Sequence, residues 1–495
     1  MNRREAARLY RSGEEPTVAK LLEYDEKINR LDDEIQNLKN RIAQLEKNSN
    51  NSSCPPSSDK PEDKAARLAE KRKKSGRNPG GQPGHKGCKR NLVPIEEVDK
   101  VIHLYPRRCE ACSRFLPQDG TGQEVGNPHR WQVTEIPPLK PFITEYQSHT
   151  TECTCGHRST ASLPPEVATS NFGPRLAAIV AYLTAVCHVP RRGIQEFFDT
   201  LLNINISVGS VQNLLGSTSC ALEETDEKLR AALADEPVVN ADETGWRDRW
   251  LWVFVASTFI YFSVAKTRAS KALIDVFGNL YQGILCVDRW GAYSKYHKGP
   301  FQLCWAHLKR DIVGILKTGQ TLGSEEAIVF AWRMQELRKR LMAMWYQFKG
   351  GTLSRAELIK KTRRIRDGTK ECLKEYENSE EKCVKCLARN LLKRFDHLFT
   401  FIFHERVEPT NNSAERGIRP AVQWRKICFG NRSDKGAVIT SRLLTVTRTC
   451  WLQKRNPLEF LVDAIAAYRT DKEAPSLLME ADENNSPTIA SCHMR

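Results

Sequence analysis

The segment Val-Val-Asn-Ala-Asp at residues 238–242 is short, mostly apolar and ends in an acid, as expected of a buried strand. Residues 250–264 then supply two apolar runs that predict a β-hairpin. Residues 269–280 predict a helix, and residues 283–287 predict a further apolar strand that ends at Asp288. The predicted order is strand, hairpin, helix and strand, with an acid at the end of the first and of the fourth strand.

This order of elements matches the ribonuclease H-like fold, an α/β architecture in which the first and fourth strands are neighbours. Asp242 and Asp288 are therefore expected side by side. Adjacent buried carboxylates repel each other, and their pKa values rise unless cations neutralise them. The pair predicts a site for two Mg²⁺ ions about 3.5 to 4 Å apart. Either acid taken alone would be interpreted as a helix cap or a turn residue.

A third acid is expected before a C-terminal helix, where three candidates occur: Glu405, Glu408 and Glu415. We favour Glu415, because Arg416 and Arg419 follow it and would make the same helix start a surface for phosphate groups. The alternative is structural. Residues 412–415 also have the form of a capping box, in which the glutamate accepts a hydrogen bond from the first amide of its own helix.

Composition favours a large protein with an anionic partner. The 495 residues include 40% apolar residues, so two or more domains with substantial cores are expected. The 76 Lys and Arg against 60 Asp and Glu give a net charge of +16, which favours nucleic acid. Sixteen cysteines without a secretory signal after Met1 predict reduced thiols. The longest apolar stretch, residues 251–265, is too short to cross a bilayer, which predicts a soluble protein without a membrane partner.

Residues 17–48 predict a parallel two-stranded coiled coil. Apolar residues alternate at spacings of three and four, with Ile at a and Leu at d: Leu21, Tyr24, Ile28, Leu31, Ile35, Leu38, Ile42 and Leu45. A parallel homodimer would form the opposite-charge pairs Lys27 with Asp32, Glu34 with Lys39, and Arg41 with Glu46. The alternative is a single amphipathic helix that packs on its own domain.

Residues 49–107 predict a flexible basic arm rich in Pro and Gly. Residues 64–90 contain ten basic residues and one acidic residue. This composition suits a segment that follows DNA phosphates, and the candidate contacts are Arg72, Lys73, Lys74, Arg77 and Lys86. A solvated linker is the alternative.

Residues 108–160 predict a small zinc-binding module. Cys109 and Cys112 form one pair, and Cys153 and Cys155 form a second, tighter pair, so four thiolates could bind a structural Zn²⁺ ion. His157 is a possible substitute for one thiolate. Alternating residues at 131–136 and 142–146 predict strands between the pairs. Unligated buried cysteines are the alternative.

Residues 170–234 predict a helical DNA-binding domain. Residues 191–215 resemble two helices joined by a turn at 203–206, with Ser210, Gln212 and Asn213 exposed on the second helix. A helix-turn-helix DNA reader and an ordinary helical hairpin are equally consistent with this pattern.

Several of these segments resemble the large transposase of the insertion sequence 66 family. The resemblance includes residues 80–87, 240–245, 287–293, 304–310 and 411–420, in the order of the family, and it covers nearly the whole chain. It implies a multidomain α/β protein in which a coiled coil, a zinc-binding module and a helical domain precede a ribonuclease H-like catalytic core.

The resemblance implies that Asp242, Asp288 and Glu415 are a DDE triad that binds Mg²⁺. The core would comprise residues 235–313 and 405–470, with a helical insertion at 314–404 and a polar tail at 471–495. Cys304 and His307 match a C-x-x-H signature whose role stays open. Cys383 and Cys386 in the insertion are interpreted as incidental.

The function that this resemblance implies is a bacterial, cytoplasmic and nucleoid-associated DDE transposase. It would bind double-stranded DNA at the ends of a mobile element as a dimer or larger assembly, with small accessory proteins. It would cleave the DNA and join the free 3′-hydroxyl to target DNA. Phosphate contacts are expected from Arg416, Arg419, Arg425 and Lys426, although a solvated basic helix face is the alternative. A catalytically silent DNA-binding regulator and a structure-selective nuclease are the alternative functions.

Overall fold

The computed structural model describes residues 3–45, 59–65, 69, 84, 91–119, 121, 126–168 and 170–478. Some predicted features lie outside these ranges, namely Arg72, Lys73, Lys74, Arg77, Lys86, Glu46 and the tail beyond residue 478. The chain forms two compact units, which are Lys64–Phe142 and the combination of Met1–Asp63 with Ile143–Arg495.

The N-terminal segment is helical, as the heptad pattern predicts. Helix α1 spans Arg3–Arg11 and helix α2 spans Glu14–Leu45. The apolar heptad residues of α2 are about half exposed, namely Leu21, Ile28, Leu31, Ile35, Leu38, Ile42 and Leu45. The helix is confirmed, and its pairing into a coiled coil stays a prediction.

The predicted strands at residues 131–136 and 142–146 are wrong, because neither segment pairs with a strand among the residues that the structure describes. Their apolar side chains are exposed, with Trp131 82% and Phe142 95% accessible, so burial does not stabilise pairing there. The strand pair that does form in this stretch of sequence is β1 (Thr150–Glu152) with β2 (Arg158–Thr160).

The helical segment after it follows the sequence prediction. Its helices are α3 (Pro165–Ala168), α4 (Pro174–Ala185), α5 (Arg191–Leu202), α6 (Val208–Ala221) and α7 (Glu223–Ala232). Asn203 ends α5 in the left-handed conformation, with φ of 50°. Ser207 begins α6, since its hydroxyl accepts a hydrogen bond from the Ser210 amide at 3.0 Å. The two helices and their turn are confirmed, and DNA reading by α6 stays a prediction.

A five-stranded mixed sheet forms the centre of the larger unit. Its strands are β3 (Val238–Trp246), β4 (Arg249–Val255), β5 (Ile260–Ala265), β6 (Ile284–Val287) and β7 (Phe301–Leu303), in the order β5-β4-β3-β6-β7. Strands β3 and β6 are parallel neighbours, which confirms the expected adjacency of the first and fourth strands. Helices α8 (Lys271–Phe277) and α9 (Gly291–Tyr296) flank β6 in sequence. Strand β7 has three residues, too few for a periodic signal.

The predicted insertion, residues 314–404, consists of helices and the turns between them. Helix α10 (Trp305–Leu322) begins before the predicted boundary at residue 314 and continues into the insertion. It is followed by α11 (Glu325–Lys349), α12 (Arg355–Glu375), α13 (Lys382–Leu392), a 3₁₀ turn (Asp396–Leu398) and α14 (Thr400–Phe403). The C-terminal helices are α15 (Asn412–Cys428), α16 (Asp434–Leu452) and α17 (Pro457–Arg469). In the described part of the chain, every helix is too short or too polar to span a bilayer.

Alternation along β4 separates two hydrophobic layers. Leu251 and Val253 face one side, where they pack with Ile418 of α15 and Leu444 of α16. Trp252 and Phe254 belong to the opposite, larger core, which also contains buried residues of α4, α6 and α17. Helices α16 and α17 pack on α4 and α6. The helices of residues 174–232 and the sheet therefore share one continuous core.

Two buried threonines of α16 form hydrogen bonds with the backbone groups at the outer edge of β5. Ile260 donates its amide to Thr449 Oγ1 at 3.0 Å, and the same hydroxyl donates to the Ile260 carbonyl at 3.0 Å. The Phe262 amide donates to Thr445 Oγ1 at 3.0 Å. An edge strand normally presents such groups to solvent or to another chain. Here a helix covers them.

Thr449→Val should therefore destabilise the larger unit, because the Ile260 amide and carbonyl would stay buried without partners. The expected loss in the free energy of unfolding is about 1–3 kcal/mol, measured by urea denaturation. Thr447→Val is the matched control, since the Thr447 hydroxyl donates only to the Leu443 carbonyl of its own helix. Equal losses in the two variants would contradict this role for Thr449.

Candidate active site

Asp242 lies on β3, and Asp288 directly follows β6, the parallel neighbour of β3. The last paired residues of β3 and β6 are Asn240 and Cys286, and each acid lies two residues beyond its strand's last pair. One detail of the prediction is wrong, because β3 does not end at Asp242. It continues to Trp246, since its antiparallel pairing with β4 extends past the point where β6 stops.

Burial and negative neighbours raise the pKa of Asp242 well above the usual value of an aspartate. Removal from solvent is the main cause, followed by the charges of Glu243 and Asp288, and the charge of Glu415 adds to them. The Glu243 amide opposes this effect, because it donates to Asp242 Oδ1 at 3.0 Å. Asp288 and Glu415 therefore both lie within electrostatic range of Asp242 at this edge of the sheet.

The pKa of Asp288 is also raised by burial, but its surroundings compensate in part. The Trp290 amide donates to Asp288 Oδ1 at 2.7 Å. Three guanidinium groups lower the pKa from the surrounding elements, namely those of Arg268, Arg289 and Arg310. The site therefore combines buried acids with three nearby arginine side chains.

Glu415 lies in the first turn of α15 and does not cap it. Its Oε1 accepts a hydrogen bond from Arg310 Nη2 at 3.2 Å and lies 3.5 Å from His307 Nδ1. The N-cap of the helix is Asn411, and it forms no side-chain capping bond. The capping-box alternative is therefore not what the structure contains. Glu408, another candidate third acid, pairs with Lys349 at 2.8 Å on the surface.

The buried side chain of Asn411 fixes the start of α15 on β3. Its Nδ2 donates to the Ala241 carbonyl at 2.7 Å, and its Oδ1 accepts from Asn240 Nδ2 at 3.0 Å. Its backbone amide donates to Cys304 Sγ at 3.2 Å. These contacts connect the residue before Asp242, the start of α10 and the helix that carries Glu415.

Gly417 allows α15 to approach the sheet closely. A Cβ atom at this position would lie 3.0 Å from Val255 Cγ2 and 3.5 Å from Val253 Cγ2. Such spacing is tighter than ordinary van der Waals contact, so a larger residue would move the helix or the strand. The position of Glu415 therefore depends on this glycine as well as on Asn411.

Glu243 and Arg268 belong to the site, although the sequence analysis did not identify them. Glu243 is buried next to Asp242, and its Oε1 accepts from Arg268 Nε at 2.8 Å and from Nη2 at 2.6 Å. Tyr293 donates its hydroxyl to the other oxygen. Arg268 lies over the rings of Trp250 and Trp290, at 4.7 and 3.9 Å from their centroids. An acid within an apolar strand is the signal that could have revealed Glu243.

Cys304, His307 and Glu415 form a compact group of potential metal ligands. Their ligand atoms lie within 4.8 Å of one another. Among the residues that the structure describes, the carboxylates of Asp242, Asp288 and Glu415 do not all lie this close together. Burial, with the charges of Arg310 and Arg289, lowers the pKa of His307 to about 3. His307 is therefore neutral near pH 7, and its contact with Glu415 is not an ion pair.

Residues 169–439 match the transposase IS66 family, which is more than half of the chain. The chain belongs to this family of transposases. Residues 4–91 match a family of unknown function.

Two proteins of Sinorhizobium fredii (strain NBRC 101917 / NGR234) are similar to this IS66-family chain. Uncharacterized protein y4qI is 28% identical over 238 residues, which are 43% of this chain and 42% of y4qI. Uncharacterized protein y4hP is 22% identical over 409 residues, which are 75% of this chain and 72% of y4hP. The match to y4qI thus spans about two fifths of that protein's length.

The predicted phosphate contacts of this transposase-family chain differ in their surroundings. Arg416, Arg419 and Lys426 are exposed on α15. Arg425 instead bonds to β3, because its Nη1 donates to Thr244 Oγ1 at 2.9 Å and to the Gly245 carbonyl. Arg425 therefore supports the contact between α15 and the sheet.

Each predicted zinc-binding pair forms a tight local turn. Hydrogen bonds from Cys112 lower the pKa of Cys109, and the Ser113 amide donates to the Cys109 carbonyl at 2.8 Å. Hydrogen bonds from Cys155 lower the pKa of Cys153, whose amide donates to the His157 carbonyl at 2.8 Å. Lowered thiol pKa values favour the thiolates that Zn²⁺ binds. Binding by the four thiolates together stays a prediction.

Cys383 and Cys386 lie three residues apart on α13. Burial raises the pKa of Cys383, which disfavours its thiolate. This environment agrees with the interpretation of the pair as incidental.

Proposed function

We propose that the chain is a DDE transposase that binds the ends of a mobile element and catalyses Mg²⁺-dependent DNA cleavage and strand transfer. Asp242, Asp288 and Glu415 are its metal-binding acids on a ribonuclease H-like core. The observation that carries this proposal is the parallel adjacency of β3 and β6, which brings Asp242 and Asp288 together. The influence of Glu415 on the pKa of Asp242 supports its inclusion.

The chemistry of the acids fits a divalent metal. Burial and like charges disfavour the ionised form of Asp242, and nearby cations would reverse this effect. Carboxylate oxygens are the ligands that Mg²⁺ prefers. When bound, Mg²⁺ lowers the pKa of an attacking water or 3′-hydroxyl and stabilises the leaving oxygen.

The surrounding basic residues orient the DNA. Arg416 and Arg419 are exposed in the first turns of α15, the helix that carries Glu415, where helix amides also favour phosphate. Arg268 is held by Glu243 and two tryptophan rings, so its guanidinium has a fixed position near Asp288. A fixed cation near the acids can align a phosphate without losing side-chain entropy on binding.

Asp288→Asn should abolish Mg²⁺-dependent cleavage and leave DNA binding intact. The substrate is a labelled DNA fragment that carries the terminal inverted repeats flanking the gene, and binding is measured by gel shift. The cleavage rate should fall by more than about 100-fold. Loss of a residue that only supports a metal ligand reduces activity by at most about this factor, and a direct ligand should matter more.

Asp275→Asn is the control, since Asp275 is an exposed acid on α8. Cleavage that persists in Asp288→Asn would remove this acid from the mechanism. Tight end binding by the wild-type chain with no metal-dependent cleavage would favour the silent regulator instead.

We infer that α2 pairs in parallel with α2 of a second copy. Its apolar heptad stripe is exposed along the helix, including Ile28 and Ile35. The opposite-charge pairs at the flanking heptad positions match a homodimer. Pairing would bury the stripe and place two catalytic chains in one assembly, one for each element end.

The double variant Ile28→Glu and Ile35→Glu should convert a dimer to a monomer, because four glutamates would face each other in the seam. Multi-angle light scattering of the full chain measures the change. Asn29→Glu, at an outward-facing position, should remain dimeric. A dimer that survives the double variant would contradict pairing through α2.

A further inference from the structure

A second cluster of ligand-type side chains lies beside the acids of β3 and β6. Cys304 precedes α10, His307 lies in its first turn, and Glu415 approaches from α15. One ligand atom from each of Cys304, His307 and Glu415 lies within 4.8 Å of the other two. The proposed transposition chemistry assigns a role to Glu415 and none to the cysteine or the histidine.

The thiol of Cys304 lies where a metal-bound thiolate would be supported. The residue is 2% exposed, and its sulfur accepts the Asn411 amide at 3.2 Å. Burial raises the pKa of the Cys304 thiol, and the backbone amides of Asn411, His307 and Ala306 oppose this effect. Amide donors of this kind stabilise the negative charge of sulfur ligands and fix their direction.

His307 offers a ring nitrogen that its own surroundings leave unused. Among the described residues, the buried Nδ1 of His307 has no hydrogen-bond partner. It lies 3.5 Å from Glu415 Oε1. Two ligands bonded to one tetrahedral Zn²⁺ at about 2.0–2.1 Å lie roughly 3.4 Å apart. The nitrogen and the oxygen already have nearly this separation.

The ligand types determine which cation fits. Sulfur and imidazole favour Zn²⁺, whereas Mg²⁺ prefers an all-oxygen shell. Three protein ligands would leave a fourth position for water. Arg310 holds the same oxygen of Glu415 at 3.2 Å, so its guanidinium must release Oε1 when a metal binds there.

We propose that Cys304, His307 and Glu415 bind a thiophilic divalent cation, Zn²⁺, and that this binding withdraws Glu415 from Asp242 and Asp288. The Cys304 thiol releases its proton to solvent on binding. Zn²⁺ occupancy and Mg²⁺-dependent cleavage then exclude each other, because both need Glu415. The withdrawal rests on the proposed function, whereas the binding of Zn²⁺ does not.

Metal counting tests the binding. The full-length wild type, Cys304→Ser, His307→Gln and the control Cys386→Ser are saturated with Zn²⁺, dialysed, and analysed by elemental mass spectrometry. We expect one equivalent of Zn²⁺ fewer per chain in Cys304→Ser and in His307→Gln than in the wild type, with no change in Cys386→Ser. Zinc held by the four N-terminal thiolates is common to all four proteins and cancels.

Equal zinc content in all four proteins would overturn the proposal. The two ligand variants are independent, so His307→Gln decides the question if Cys304→Ser does not fold. Co²⁺ provides a second readout, since a thiolate–Co²⁺ charge-transfer band lost in Cys304→Ser and kept in Cys386→Ser identifies the sulfur as a ligand.

Zinc titration of Mg²⁺-dependent cleavage tests the withdrawal of Glu415. Each protein is compared with its own activity without zinc, and Cys304→Ser should need at least about tenfold more Zn²⁺ for half-inhibition than the wild type. Equal inhibition of both proteins would refute the withdrawal. If the wild type does not cleave at all, the proposed function fails, while the metal count still decides the zinc site.

Discussion

The buried amide of Asn411 is the contact on which the arrangement of the site depends. It donates to the Ala241 carbonyl, accepts from Asn240, and its backbone amide donates to Cys304. Each buried group that loses its partner costs about 1–3 kcal/mol. These contacts therefore hold the start of α15 at one position on β3, although the two lie more than a hundred residues apart in the sequence. Glu415 lies in the first turn of this helix, so its position relative to Asp242 depends on these contacts.

Electrostatics then decides how the acids behave. Burial raises the pKa values of Asp242 and Asp288, and the charges of nearby acids raise that of Asp242 further, while Arg268, Arg289 and Arg310 lower the pKa of Asp288. Such a site is unfavourable for several free carboxylates and favourable for carboxylates that bind cations. Glu415 influences Asp242 electrostatically and also lies close to Cys304 and His307. Under the proposals made above, Glu415 would bind either Mg²⁺ with the acids or Zn²⁺ with Cys304 and His307.

The sequence predicted the parts of the fold that strong local patterns encode. The apolar runs at β3 and β6 and the hairpin between them predicted the strand order, and the turn at residues 203–206 separated the two helices α5 and α6. Features set by distant partners were missed. The extension of β3 depends on pairing with β4, β7 is three residues long, and Arg425 bonds to a strand about 180 residues away. Residues 131–136 alternate as a strand does, yet their side chains are exposed and no partner pairs with them.

We propose that Asp242, Asp288 and Glu415 share one divalent-metal site, and metal-directed cleavage of the chain tests this most directly. Fe²⁺ bound in place of Mg²⁺ generates hydroxyl radicals with ascorbate and peroxide, and these cut the chain near the metal. Peptide mapping of the wild type should locate cuts near residues 242, 288 and 415, and Asp242→Asn should reduce all three together. Cuts near 242 and 288 with none near 415, or a cut near 415 that is unaffected by Asp242→Asn, would contradict the claim.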